Sequence, residues 1–65
     1  MFKDLDIGDY FVHWDIRSSA FVMYQKASDN YGYRVVHNSD TGEINQDDCM
    51  HYLFNWHYKV YKVIV

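Results

Sequence analysis

Apolar residues occupy every second position from Met50 to Val60, and this alternation predicts a β-strand late in the chain. A period of two is typical of a strand with one buried face, because successive side chains point to opposite sides of a sheet. Most strands are only about five or six residues long. We therefore expect the segment to bend or break near Asn55, followed by a tail from Tyr58 that is buried on both faces.

Earlier in the chain, β-rich runs alternate with turn residues. Gly8 and Gly42 suit positions with positive φ, at a bulge and at the end of a turn. Residues 28–30 read Ser-Asp-Asn, a turn sequence that predicts a hairpin between its two neighbouring runs. The predicted strands are 9–14, 20–27, 31–37, 43–46 and 58–64. Together they predict an all-β fold, a small antiparallel barrel of five to six strands in one domain spanning residues 1–65.

Residues 47–54 allow a second interpretation. Asp47 and Asp48 are good helix N-caps, and Cys49, Leu53 and Trp56 recur at helical spacing. The unbroken alternation and the density of aromatic residues favour a strand. The sequence thus predicts a strand here, with one short helical turn near 47–54 as the alternative.

The chain has more apolar residues than a small barrel can enclose. Hydrophobic residues make up 49% and aromatic residues 20% of only 65 positions. The predicted core consists of alternating apolar positions in the strands, with Ile7 closing one end: Phe11, Val22, Val35, Ile44, Val60 and Ile64. The remaining aromatic residues should lie on the surface or in an interface. The alternative is that residues 50–58 fold back as an extra strand or turn that closes the barrel.

Charge and cysteine content indicate which ligands and which cellular compartment to expect. The formal net charge is −3, which disfavours a general nucleic-acid binder. The single cysteine, Cys49, excludes an internal disulfide bond and fits a reducing compartment. The first residues lack a signal-peptide pattern, and no apolar run is long enough to span a membrane. We therefore expect a cytoplasmic protein without membrane contact.

The residues that could carry chemistry are sparse. Cys49, His51 and His57 are possible zinc ligands, but on a straight strand the two histidines would lie about 20 Å apart. Structural zinc sites usually contain closely spaced cysteine pairs, and only one cysteine is present. A cysteine nucleophile would need a shaped pocket and an orienting third group. The sequence predicts no catalytic residues, no metal site, no cofactor and no enzymatic activity.

Three short pieces of the chain carry a family resemblance. Residues 4–11, DLDIGDYF, resemble the D-L-x-I-G-D-x-F start of small SH3-like barrel proteins of bacteria and their phages. A strand ending in lysine, here residues 22–26, and a D-T-G-E-I segment, here residues 40–44, are similar to the same family. Residues 46–57 depart from the pattern, being longer and more aromatic. The resemblance implies an SH3-like barrel and no particular activity.

The aromatic surplus favours protein recognition, because tyrosine and tryptophan dominate interface hot spots. We expect the partner-binding residues in the alternating segment, with His57 at the polar margin: Tyr52, Phe54, Trp56, Tyr58 and His57. The partner is another protein or a second copy of the chain, giving a homo-oligomer. The resemblance implies a phage-encoded protein that binds or inhibits a host factor, such as a defence component.

Two other uses of the aromatic residues remain open at this stage. Trp14, Tyr24, Trp56 and Tyr58 could form an aromatic shelf for proline-rich peptides. Surface aromatic residues beside lysine or arginine could instead stack the bases of a single-stranded nucleic acid. The residues considered for stacking are all tyrosines: Tyr31, Tyr33, Tyr52, Tyr58 and Tyr61.

Overall fold

The structure, a computed structural model, describes residues 1–64 and, within them, all side chains except those of residues 47–50. The antiparallel strands are β1 Tyr10–Asp15, β2 Ala20–Lys26, β3 Tyr31–His37, β4 Ile44–Leu53 and β5 Tyr61–Val63. A 3-10 helix at Phe2–Asp4, the N-terminal helical turn, precedes them. Predictions about the Cys49 thiol, the Met50 side chain, the Asp47 and Asp48 caps and the end of the tail at Val65 lie outside the described residues.

The strands form one open sheet in the order β4-β3-β2-β1-β5, with β4 and β5 at its edges. The predicted all-β, antiparallel character is confirmed. The predicted hairpin is also present, since the backbone N–H groups of Ala27 and Ser28 both donate to the carbonyl of Tyr31. Gly8 and Gly42 have φ of 98° and 76°, the left-handed region that side chains disfavour.

The fourth strand is longer than predicted and the fifth is shorter. β4 continues to Leu53, so the alternative of a helical turn near 47–54 is wrong, and the helical turn of this chain lies at Phe2–Asp4 instead. The register of β3 and β4 shifts between Tyr33 and Val35. The chain leaves the sheet after β4 and returns at Tyr61, which confirms the predicted break near Asn55.

An aromatic core lies on one side of the sheet. Its buried members come from the N-terminal segment, β1, β2 and the residues between β4 and β5: Phe2, Leu5, Phe11, Tyr24, Phe54 and Val60. The Phe54 ring lies 5.1 Å from the rings of both Phe2 and Phe11 and 4.9 Å from that of Tyr24, centroid to centroid. Phe54 therefore joins the N-terminal helical turn to the sheet.

A mid-strand glycine makes room for this core. A Cβ atom on Gly32 would lie 3.0 Å from a ring carbon of Phe54 and 3.3 Å from one of Phe11. Real Cβ atoms essentially never approach other heavy atoms more closely than 3.0 Å. Glycine at this position of β3 thus lets the two rings pack directly against the strand backbone.

The predicted core is confirmed in part. Phe11, Val35 and Val60 are buried, while Val22 and Ile44 are half-buried. Ile7 and Ile64 are 66% and 89% exposed, so their assignment to the core was wrong. Ile7 lies in the turn before β1, and Ile64 follows the last residue of an edge strand. Alternation marks a possible buried face, but a residue beyond the end of a strand has no neighbouring strand to cover it.

The tail of the chain was also predicted wrongly. We expected residues from Tyr58 onwards to be buried on both faces, but Tyr58 and Tyr61 are 45% and 47% exposed. β5 pairs only with β1 and contains three residues. An edge strand this short has one free side, which leaves the Tyr61 ring partly in solvent.

Val60 and Ile64 provide a matched test of the observed core. We expect Val60→Ala to lower the free energy of unfolding by about 1–2.5 kcal/mol, because a buried side chain loses two methyl groups. Ile64→Ala should change it by less than about 0.5 kcal/mol, as is usual for exposed positions. Chemical denaturation of both variants measures the difference. Equal losses would contradict the observed burial.

A charged side chain is buried beside the aromatic core. Lys26 is only 5% exposed. Its ammonium group donates to the carbonyl oxygens of Leu5 at 2.7 Å and Phe2 at 3.2 Å. The same group lies 4.6 Å from the centroid of the Phe2 ring. Lys26 thus satisfies carbonyl groups at the end of the N-terminal helical turn and fixes that turn to the sheet.

Candidate functional site

The candidate site lies on the connection between β4 and β5, residues 54–60. Buried Phe54 anchors the start of this connection in the core, and its backbone N–H donates to the carbonyl of Asn30 at 2.8 Å. The amide of Phe2 donates to the carbonyl of Tyr58 at 2.9 Å, and that of Lys3 to the carbonyl of Trp56 at 3.2 Å. The β2–β3 turn and the N-terminal helical turn therefore both hold the connection in place.

Within the connection, Asn55 organises a tight turn. Its side-chain oxygen accepts from the backbone N–H of His57 at 3.1 Å, and its carbonyl accepts from that of Tyr58 at 3.0 Å. Asparagine favours this kind of local bond to the backbone. The turn separates buried Phe54 from the residues that follow, so that Trp56 is 57% exposed.

The exposed residues of the connection surround a groove. Its volume is about 390 Å³, and six residues line it: Asn30, Leu53, Phe54, Asn55, Trp56 and Tyr58. Leu53 is 66% exposed and Tyr58 45% exposed, so apolar surface at this groove remains accessible. We call Leu53, Trp56 and Tyr58 the loop surface.

A wider groove continues from the first. Its volume is about 590 Å³, and Leu53, Phe54 and Tyr58 line both grooves. Aromatic residues account for much of the remaining wall: His13, Trp14, Tyr24 and Tyr52. The ring of Tyr58 stacks on that of His13, with centroids 5.4 Å apart and planes at 16°.

The wider groove is also lined by three charged residues, Asp15, Arg17 and Arg34. Asp15 has a pKa below its ordinary value, because the backbone N–H of Arg17 and the hydroxyl of Ser18 donate to its carboxylate at 3.0 Å each. The guanidinium groups of Arg17 and Arg34 lower this pKa further. The Asp15 carboxylate therefore has a lower pKa than an ordinary aspartate and gives the groove a charged, polar part.

The structure divides the five residues predicted to bind a partner. Trp56 and Tyr58 belong to the loop surface, and His57 is exposed beside them. Tyr52 is half-buried, with its ring 5.7 Å from that of Tyr24. Phe54 is 3% exposed and lies in the core, so its side chain is not available to a partner. β4 ends just before Phe54, and alternation does not decide which side chains point inward once the strand has ended. The prediction that Phe54 is exposed was wrong for this reason.

The aromatic shelf considered from sequence is also divided. Trp14, Tyr24 and Tyr58 line the wider groove, whereas Trp56 lines the first groove. The sequence did not indicate that Trp14, Phe21 and Tyr61 lie side by side as exposed rings, with Phe21 in contact with both of the others. The signal was present in β1, where apolar residues occupy both faces of the strand.

Other classes of site have little support in the described part of the chain. Among the side chains that the structure describes, no group of three or more histidine, cysteine, aspartate or glutamate residues could hold a metal ion. No helix between residues 1 and 64 is long and apolar enough to cross a membrane. No family model, curated protein or solved structure matches this chain.

Proposed function

We propose that this protein is a non-enzymatic binding module that recognises a segment of another protein at the loop surface. The observation that carries the proposal is the exposure of Trp56 on a connection held by backbone hydrogen bonds from two other parts of the chain. Holding the backbone of a large aromatic residue in place before binding reduces the entropy lost on association. Such side chains often supply most of the energy of an interface.

The shape of the surface favours an extended segment as the bound part of the partner. The two grooves share Leu53, Phe54 and Tyr58, so together they form a continuous recess lined by aromatic residues. Apolar side chains of the partner would pack against Trp56 and Tyr58. The side-chain amides of Asn30 and Asn55 at the first groove would supply hydrogen bonds at its margin.

We also propose that the sheet is a small SH3-like barrel. The order β4-β3-β2-β1-β5 supports this, because it is a meander whose last strand returns to pair with the first. The family resemblance at residues 4–11 and 40–44 supports it independently. On this basis the partner is a host protein that a phage-encoded module binds or inhibits in the cytoplasm.

Replacing Trp56 by alanine tests the proposed function. The immobilised wild-type protein and the variants Trp56→Ala and Phe21→Ala are each incubated with a bacterial lysate. Proteins captured by the wild type and by Phe21→Ala, but lost with Trp56→Ala, are then purified for affinity measurement. We expect Trp56→Ala to weaken binding about 30-fold or more, which corresponds to roughly 2 kcal/mol.

Two controls distinguish the loss of partner binding from unfolding of the variant and from nucleic-acid binding. Circular dichroism should show Trp56→Ala to be folded, since this side chain is more than half exposed. A folded variant that retains its partners would contradict the proposal. Binding of a single-stranded oligonucleotide that weakens steeply as salt rises would instead support the nucleic-acid alternative, because phosphate contacts release counterions.

A further inference from the structure

The side of the sheet opposite the core has an unusual composition over three neighbouring strands. Cross-strand partners point to the same side, and Tyr10, Val12 and Trp14 alternate with Phe11 and His13 along β1. The resulting outer face comprises eight positions of β1, β2 and β5: Tyr10, Val12, Trp14, Phe21, Met23, Gln25, Tyr61 and Val63. None of these residues is charged, and only Gln25 is an amide.

Three rings on the outer face are exposed and in contact with one another through Phe21. Trp14, Phe21 and Tyr61 are 48%, 54% and 47% exposed. Phe21 meets Trp14 edge to face at 5.1 Å and Tyr61 at 5.8 Å, centroid to centroid. An antiparallel sheet that faces water normally carries polar residues on its solvent side. The outer face instead resembles the inner surface of one sheet of a sandwich, to which a second sheet would pack at about 10 Å.

The charged residues of β5 and its approach lie beside the outer face and not at its centre. Lys62 is the partner of Phe11 and therefore lies on the core side, where its ammonium is 3.5 Å from a carboxylate oxygen of Asp9. The Lys59 ammonium lies 5.8 Å from the centroid of the Tyr61 ring. Charged residues are depleted at the centres of protein interfaces, and homodimer interfaces are more apolar than those between independent proteins.

We propose that the outer face binds a second copy of this chain, so that two sheets pack face to face in a symmetric dimer. The three half-exposed rings offer roughly 300 Å² of surface, given about 150–250 Å² for each complete ring. The smallest specific interfaces bury about 600 Å² on each partner. The five half-buried positions around the rings add to this area, and a two-fold axis lets the same apolar patch serve both copies.

Sedimentation equilibrium of the wild type and of two glutamate variants tests this proposal. We expect the average mass of the wild type to rise with concentration from 7.9 kDa towards twice that value. Phe21→Glu should keep the monomer mass at every concentration, because symmetry would bury a carboxylate from each copy. Trp56→Glu is the matched control, an equally exposed aromatic residue outside the outer face. It should dimerise like the wild type.

Two further measurements keep the test decisive if Phe21→Glu does not fold. Tyr61→Glu makes the same change on the edge strand and should also be monomeric. In Trp56→Phe, where Trp14 is the remaining tryptophan, acrylamide quenching should decrease as the protein concentration rises. A wild type that stays monomeric, or a folded Phe21→Glu that still dimerises, would overturn the proposal.

Discussion

Replacing Phe54 by alanine is expected to unfold a large part of the protein population at 25 °C. The Phe54 ring packs against those of Phe2, Phe11 and Tyr24, and it is 3% exposed. Truncating a buried phenylalanine typically costs about 3–5 kcal/mol. A single core in a domain this small rarely supplies more than about 3–5 kcal/mol in total. Near-ultraviolet circular dichroism and denaturant titration at 25 °C measure the loss.

The neighbouring residue provides the control for this change. Leu53 is 66% exposed at the end of β4, so Leu53→Ala removes apolar atoms from the same segment without opening the core. We expect that variant to unfold within about 0.5 kcal/mol of the wild type. If Phe54→Ala were as stable as Leu53→Ala, the connection would not be anchored through the Phe54 ring.

Replacing Lys26 by methionine should lower the free energy of unfolding by about 3 kcal/mol. Methionine keeps an unbranched apolar side chain of similar length but cannot donate to the carbonyls of Phe2 and Leu5. Hydrogen bonds to charged groups are worth about 1.5–3 kcal/mol each. The variant also avoids the cost of desolvating a buried ammonium group, which offsets part of this loss. The N-terminal helical turn should detach first, which hydrogen exchange of the Phe2 and Lys3 amides would detect.

Lys59→Met controls for the removal of a positive charge. Lys59 is exposed, and its ammonium group lies 5.8 Å from the centroid of the Tyr61 ring. We expect this variant to retain the stability of the wild type to within about 0.5 kcal/mol. Equal effects of the two substitutions would show that net charge, rather than the buried hydrogen bonds of Lys26, governs the result.

Local sequence features were sufficient for the first three strands and for the turns, but not for the bounds of β4 and β5. The runs around residues 28–30 predicted a hairpin, and β3 occupies the predicted 31–37. Gly8 and Gly42 adopt the positive φ expected of glycine in turns. These features depend on the period of apolar residues and on backbone preferences, which are properties of neighbouring residues in the chain. The all-β class follows from them.

The candidate site was only partly accessible from the sequence. Trp56 and Tyr58 are exposed as expected, but Phe54 lies in the core, although all three belong to one alternating series. The strand that should carry this series ends at Leu53, and the turn organised by Asn55 follows it. Beyond that point, backbone hydrogen bonds with Asn30, Phe2 and Lys3, which are remote in sequence, hold the chain in place.

Pattern alone therefore determined the all-β class, the first three strands with their turns, and the excess of aromatic residues, whereas the bounds of β4 and β5 were set by tertiary contacts. Tertiary structure alone decided which aromatic residues fill the core and which remain exposed. It also buried Lys26, a residue type that normally stays in water, because carbonyl groups of the N-terminal segment face it. Both decisions depend on contacts between distant parts of the chain, and the alternation of apolar and polar positions does not encode such contacts.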